Sequence, residues 1–147
     1  VEKSGVAIDP SALEWAGVAV FKNAHKIYKE RGYRTRLLSA AFRNHMHWSE
    51  IIGGDAVISP PYGWQVEINK LGITPNPESV EVPVEPHILE PMLANIPEFR
   101  KMYDADGLKV EEFTNFGATL RTLRGFLQSV NDLEAFVRDV TVPNPDK

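Results

Sequence analysis

Apolar and polar positions change period several times along the chain, and each change marks an element. From Val20 onward, Val20, Phe21, Ala24, Ile27 and Tyr28 recur at helical spacing, with Leu13 ahead of them. Asp9-Pro10-Ser11 opens this helix. Either Pro10 takes the first helical position behind an Asp9 cap, or Ser11 caps and Glu14 completes a capping box. Lys26, Lys29 and Arg31 fall near its end, where cations complement the macrodipole, and Gly32 suits its C-cap. The run Leu37–Arg43 then reads as a short buried strand. Asn44 caps a brief helix over His45–Ile52, which Gly53-Gly54 stops. Asp55–Ser59 reads as a second buried strand, ended by Pro60-Pro61 because proline cannot extend a central strand. Tyr62–Leu71 reads as another helix, with Trp64, Ile68 and Leu71 on one side and Gly72 after it.

Helix, strand, helix, strand, helix is the alternation of α/β architecture with parallel strands. Two parallel strands do not make a stable sheet by themselves. The pattern then shifts. Prolines at 75, 77, 83, 86 and 91, with acidic residues between them, predict an extended arm that either wraps over the domain or leads to a helical tail. Helical spacing returns from about Ile88 with Leu89, Met92 and Leu93, and again over Pro97–Tyr103. Asp104-Ala105-Asp106-Gly107 reads as a turn, and Val110–Phe116 as a brief helix ended by Gly117. Leu120, Leu123, Leu127 and Val130 predict an amphipathic helix. Asn131, with Glu134 three residues on, caps a last one whose apolar face is Leu133, Phe136, Val137 and Val140. The organisation expected is an α/β segment over 1–72, a proline-rich arm over 73–96 and a helical extension over 97–147.

Composition narrows the class. With 147 residues, 43% hydrophobic and 24% charged, the chain has the make-up of one globular domain, not a disordered one. A formal net charge of −4 argues against a general nucleic-acid or membrane-surface role, since both need a basic excess. The absence of cysteine rules out disulfides and thiolate zinc sites, and is compatible with a reducing compartment. No apolar run approaches the roughly 20 residues that span a bilayer. The opening Val1-Glu2-Lys3-Ser4-Gly5 has no initiator Met and no signal-like apolar region, so a processed or truncated chain is expected.

Few residues are arranged for chemistry. Ligands of parallel sheets bind at the carboxyl ends of the strands, so Arg43 stands where a guanidinium can meet an anionic group. The plainer reading is that Arg43 ends a strand in solvent or pairs with a carboxylate. The following helix would add its N-terminal amides to the same place. His45, His47 and Glu50 are metal-ligand types. Residues two apart on a helix diverge by about 200°, so only His47 and Glu50 share a face. Lys22 reads as a solvated helix lysine, and Arg121 and Arg124 as members of a solvated face. The 104–107 turn does not register as a calcium loop. Neither a glycine-rich phosphate loop nor a Gly-x-Ser-x-Gly elbow is present.

The run Gly32-Tyr33-Arg34-Thr35-Arg36-Leu37-Leu38-Ser39-Ala40-Ala41-Phe42-Arg43-Asn44 resembles the transaldolase family. Members carry a Gly-Tyr-x-Thr turn and a strand ending Ala-Ser-Phe-Arg-Asn. A helix then leads through Gly-Cys-Asp to a second strand ending Ile-Ser-Pro. The corresponding stretch here is Ile52-Gly53-Gly54-Asp55-Ala56-Val57-Ile58-Ser59-Pro60. The likeness covers about Trp15 to Pro61, with a looser match from Pro97 to Leu127.

The resemblance implies a (β/α)8 TIM barrel of which this chain is a C-terminal fragment, Leu37–Arg43 being strand seven and Ala56–Ser59 strand eight. It implies transfer of a dihydroxyacetone unit between sugar phosphates through a Schiff base on a strand lysine, with no cofactor and no metal, in the cytoplasm. Arg43 becomes the phosphate-binding arginine, with Ser39 and Asn44 beside it, since a guanidinium binds phosphate oxygens bidentately. The family serine two residues before that arginine is Ala41 here, so one hydroxyl donor is missing. A whole barrel needs about 250 residues, and by the resemblance the Schiff-base lysine, the acid/base carboxylates and the strand-six arginine lie outside this chain. Neither predicted strand carries a lysine. Two expectations follow: part of a transaldolase-like enzyme, or a non-catalytic barrel fragment that assembles with another chain or binds phosphorylated ligands. In both, the partners are a sugar phosphate and either the rest of the barrel or another copy.

Overall fold

A computed structural model describes residues 8–142, 144 and 145. The chain forms two compact units, residues 1–107 and 108–147. In the first, α1 (Pro10–Leu13) and α2 (Ala16–Arg31) precede β1 (Leu38–Ser39), α3 (Met46–Ser49), β2 (Val57–Ile58) and α4 (Tyr62–Leu71). The arm follows, then α5 (Pro86–Asn95) and α6 (Pro97–Tyr103). The second unit is a 3-10 turn, Val110–Thr114, and the long helix α7 (Gly117–Thr141).

Asp9 and Pro10 open a helix by the first of the two predicted routes, but that helix is the short α1. The chain turns at Glu14-Trp15, and α2, expected to start at the same place, begins separately at Ala16 without a side-chain cap. Pro10 occupies the first turn, and the Asp9 carboxylate accepts the Ser11 N–H at 2.9 Å. Gly32, at φ +63°, closes α2 in the left-handed conformation. The helix buries a different face from the stripe at Val20, Phe21, Ala24, Ile27 and Tyr28. Its buried residues are Val18, Ala19, Lys22 and His25, while that stripe is only half-buried. The covering layer is the arm with α5 and α6: Val18 and Ala19 pack with Val84, Met92 and Phe99 in the main core.

The arm therefore wraps over the first unit. It makes a 3-10 turn over Ser79–Glu81, burying Ser79 and Val80, and is tied down where the Val80 N–H meets the Ile52 carbonyl at 3.0 Å. Pro75, Pro77 and Pro83 keep it extended without leaving unmet donors. Pro86 and Pro91, expected in the extended arm, lie instead in α5, Pro86 in its first turn and Pro91 inside it.

β1 and β2 are parallel, in the register Leu38↔Val57 and Ser39↔Ile58. The ladder is closed by Val57 N–H to Leu37 O at 2.8 Å and Ser59 N–H to Ser39 O at 2.9 Å. Both strands are shorter than the sequence predicts. For the first the cause is Ala41, whose φ of +57° takes the backbone out of the extended region before Phe42. The second loses its ladder partner at the same point. α3 is likewise one turn long, not the stretch to Ile52.

In the second unit Gly117 begins a helix; it does not end one. Asn131 is interior to α7 and caps nothing: one continuous helix of 25 residues replaces the two expected. Capping needs a break in helical backbone, and neither glycine nor proline occurs between Phe126 and Val142. Polar side chains inside the helix bond locally instead, as in Gln128 Nε2 to Asp132 Oδ1 at 2.7 Å and Ser129 Oγ to the Gly125 carbonyl at 3.0 Å. No helix among the described residues is long and apolar enough to cross a membrane.

Candidate functional site

Residues 39–47 form a tight loop between β1 and α3, wired to one side chain. Phe42 is its anchor. It is buried, with its ring 6.4 Å from that of Trp64 on α4 and edge-on to His47 at 6.3 Å. Burying Phe42 turns Arg43 outward. Arg43 therefore leaves from the turn that follows the strand, four residues past its end, and strand alternation no longer relates it to Ser39.

His47 joins the three residues singled out in the sequence. Its Nδ1 accepts the Arg43 backbone N–H at 3.1 Å, its own N–H donates to Asn44 Oδ1 at 3.3 Å, and its carbonyl accepts the Ser39 hydroxyl at 3.2 Å. Ser39 is 5% exposed, so its hydroxyl acts within the loop. Asn44 bridges outward as well, its amide donating to the carbonyl and to the carboxylate of Glu14. The cap position of α3 falls on His45, not on Asn44 as expected; Asn44 Oδ1 still takes up one N–H of that first turn through His47, and its amide is engaged, not free for a ligand. The Arg43 guanidinium bonds its own loop, Nη1 to the Ala41 carbonyl at 3.0 Å. Among the described residues no carboxylate forms an ion pair with it, so the side chain is exposed and charged beside the neutral Ala41.

Burial lowers the His47 pKa from its ordinary value, and the nearby Arg43 cation lowers it further against a weaker opposing pull from Glu14. The neutral ring is the form that can accept at Nδ1, so the hydrogen bond and the electrostatics agree on an Nε2–H tautomer. The sequence gives His47 as a metal-ligand type paired with Glu50. In the fold the two side chains serve different partners.

Glu50 turns to α2. Lys22 Nζ lies 2.8 Å from Glu50 Oε2 and 2.9 Å from the Val82 carbonyl. Lys22 is 6% exposed, so the solvated lysine of the sequence reading is instead a buried tie between α2, α3 and the arm. The spacing along α2 could not reveal this, because the residues that cover it come from the arm. Two helical turns on, Lys29 Nζ lies 2.8 Å from Glu81 Oε1, and buried His25, one turn on, holds Nδ1 3.9 Å from the same oxygen. The Lys29 hydrogen bond holds the Glu81 carboxyl below its usual range. Lys22, His25 and Glu81 line a cleft of about 300 Å³ under the arm, with Asn23, Lys26, Leu89 and Tyr103. Among the described residues no cluster of three His, Cys, Asp or Glu side chains could hold a metal ion.

No protein-family model, no curated protein and no solved structure matches the chain.

Proposed function

We propose that this chain supplies the last two β/α units of a transaldolase-like (β/α)8 enzyme, with Arg43 gripping the phosphate of a sugar-phosphate substrate. The observation that carries the reading is the parallel pairing of β1 with β2 through α3, with the exposed Arg43 guanidinium on the loop just past the carboxyl end of β1. That is the edge of a parallel barrel at which substrates bind, and the units nearest the close of the barrel commonly hold phosphate. The half-buried stripe Phe21, Ala24, Ile27 and Tyr28 on α2 supports it, as an apolar face that a fuller sheet would cover.

On this reading the chemistry is transfer of a dihydroxyacetone unit, and the Schiff-base lysine comes from elsewhere in the barrel. A lysine nucleophile needs a free amine facing the substrate. Lys22 is not placed for that, because its ammonium is tied to Glu50 and Val82 beneath the arm. The test is borohydride trapping with fructose 6-phosphate. The 147-residue chain should give no adduct by intact mass. The same chain joined to a lysine-bearing barrel portion should give one, on a lysine outside this chain. An adduct on Lys22 overturns the reading.

A further inference from the structure

α7 leaves its whole apolar face in the open. Leu123, Phe126, Val130, Leu133, Val137 and Val140 are each more than half exposed, and Leu120, Leu127 and Phe136 flank them. Nine large apolar side chains on one helix, 40% to 69% exposed, offer surface on the order of the roughly 800 Å² each partner contributes to a standard interface. A patch that large is well beyond what a monomer ordinarily shows.

We propose that this face pairs with the same face of a second copy of the chain, the two α7 helices running antiparallel. Three features of the sequence on this helix select that occupant. The spacing from Leu123 to Val140 alternates three and four residues without interruption, which is the seam of a helix pair. Reversing the helix against itself about the midpoint between Asn131 and Asp132 sets Leu123 against Val140, Phe126 against Val137 and Val130 against Leu133. Every layer then matches a larger side chain with a valine, the alternation that fills a core evenly. Parallel pairing would stack Phe126 on Phe126 and leave Val130 facing Val130.

Charge points the same way. Arg121 and Arg124 stand in the first half of the helix. Asp132, Glu134 and Asp139, against the single cation Arg138, stand in the second. Antiparallel pairing brings the basic half of one copy to the acidic half of the other, with Arg124 level with Asp139. The contact is isologous and closes at two copies. The mixed charge of the polar face does not favour an anionic lipid surface, which selects helices rich in Lys and Arg.

Light scattering on the full chain should give twice the monomer mass, and Phe126→Glu with Val137→Glu should return the monomer with α7 helicity kept by circular dichroism. The chain has no cysteine, so single nitroxides can be placed on the outer face at Ala118→Cys and Gln128→Cys without touching the seam. In the antiparallel pair the two labels at 118 lie about 40 Å apart along the axis and those at 128 only about 10 Å, from the 1.5 Å rise per residue. Equal short distances at both sites mean parallel pairing and overturn the proposal. So does a monomer at every concentration, a dimer that survives the double glutamate variant, or binding to phosphatidylserine vesicles by a chain that does not self-associate. Should the glutamate variants unfold, the two label distances decide alone.

Discussion

The Arg43 backbone N–H donates to His47 Nδ1 at 3.1 Å, and this one bond sets how the proposed phosphate loop is held. It requires an unprotonated Nδ1. The Arg43 cation close by makes the protonated ring still less favourable, so backbone and charge of the same residue act together on His47.

That coupling predicts a pH dependence. The folded-state pKa of His47 lies below the ordinary histidine value near 6.5, so its contribution to stability is full above that value. It is lost as pH falls through the lowered folded value, because the unfolded chain takes up the proton more readily. Urea unfolding followed from pH 8 to pH 5 should show stability falling on the acid side, and His47→Gln should flatten part of that slope. A slope unchanged by the substitution would show that the ring is not held neutral by the fold.

Arg43→Ala tests the proposed phosphate assignment, with the chain joined to a lysine-bearing barrel portion. A charge-assisted hydrogen bond contributes about 1.5–3 kcal/mol, or roughly ten- to a hundredfold in affinity. The loss should fall on phosphorylated donors and spare dihydroxyacetone. Steady-state kinetics with both donor types would reveal it, and an equal loss on both would make Arg43 a structural residue of the loop.

The tie beneath the arm should be asymmetric. Glu50→Gln leaves the Lys22 ammonium, 6% exposed, without its carboxylate and should cost about 3–5 kcal/mol. Lys22→Met leaves a carboxylate that still reaches water, at 29% exposure, and should cost about 1–3 kcal/mol. Chemical denaturation of the two variants gives the order directly. The reverse order would mean that Lys22 matters mainly through its Val82 carbonyl bond.

The Gly53-Gly54 corner brings α3 back to β2 under the arm. A Cβ at Gly53, where φ is +111°, would stand 2.4 Å from the Pro77 carbonyl oxygen; one at Gly54, at φ +57°, would stand 2.7 Å from His25 Nε2. Gly72, at φ +60°, has open space around it. Gly72→Ala should therefore cost only the left-handed strain, about 1–2 kcal/mol, and Gly53→Ala clearly more, since the obstacle is backbone. Thermal melts of the two variants give the comparison; equal shifts would mean the arm yields at Pro77.

Local chemistry was legible from the sequence. Asp9-Pro10 starts a helix, Gly32 and Gly72 end two, and Pro97 sits in a first turn, because caps and fixed φ values act over a few residues. The two parallel strands and the Tyr62–Leu71 helix follow from the same short-range signals. The burial of Lys22 and His25 was not legible, since what covers them arrives from an arm some 60 residues further on. The left-handed Ala41 was equally hidden: nothing local demands φ +57° from alanine, and its neighbours are fixed by the burial of Phe42 against Trp64, the His47 bond to the Arg43 N–H and the Arg43 guanidinium on the Ala41 carbonyl. Residue type and spacing determined where most helices lie, the helix ends at Gly32 and Gly72, and the existence of the strands. Which face of α2 is buried, how far each strand runs and which side chain organises the Arg43 loop were decided by packing between distant segments, which periodicity along the chain does not encode.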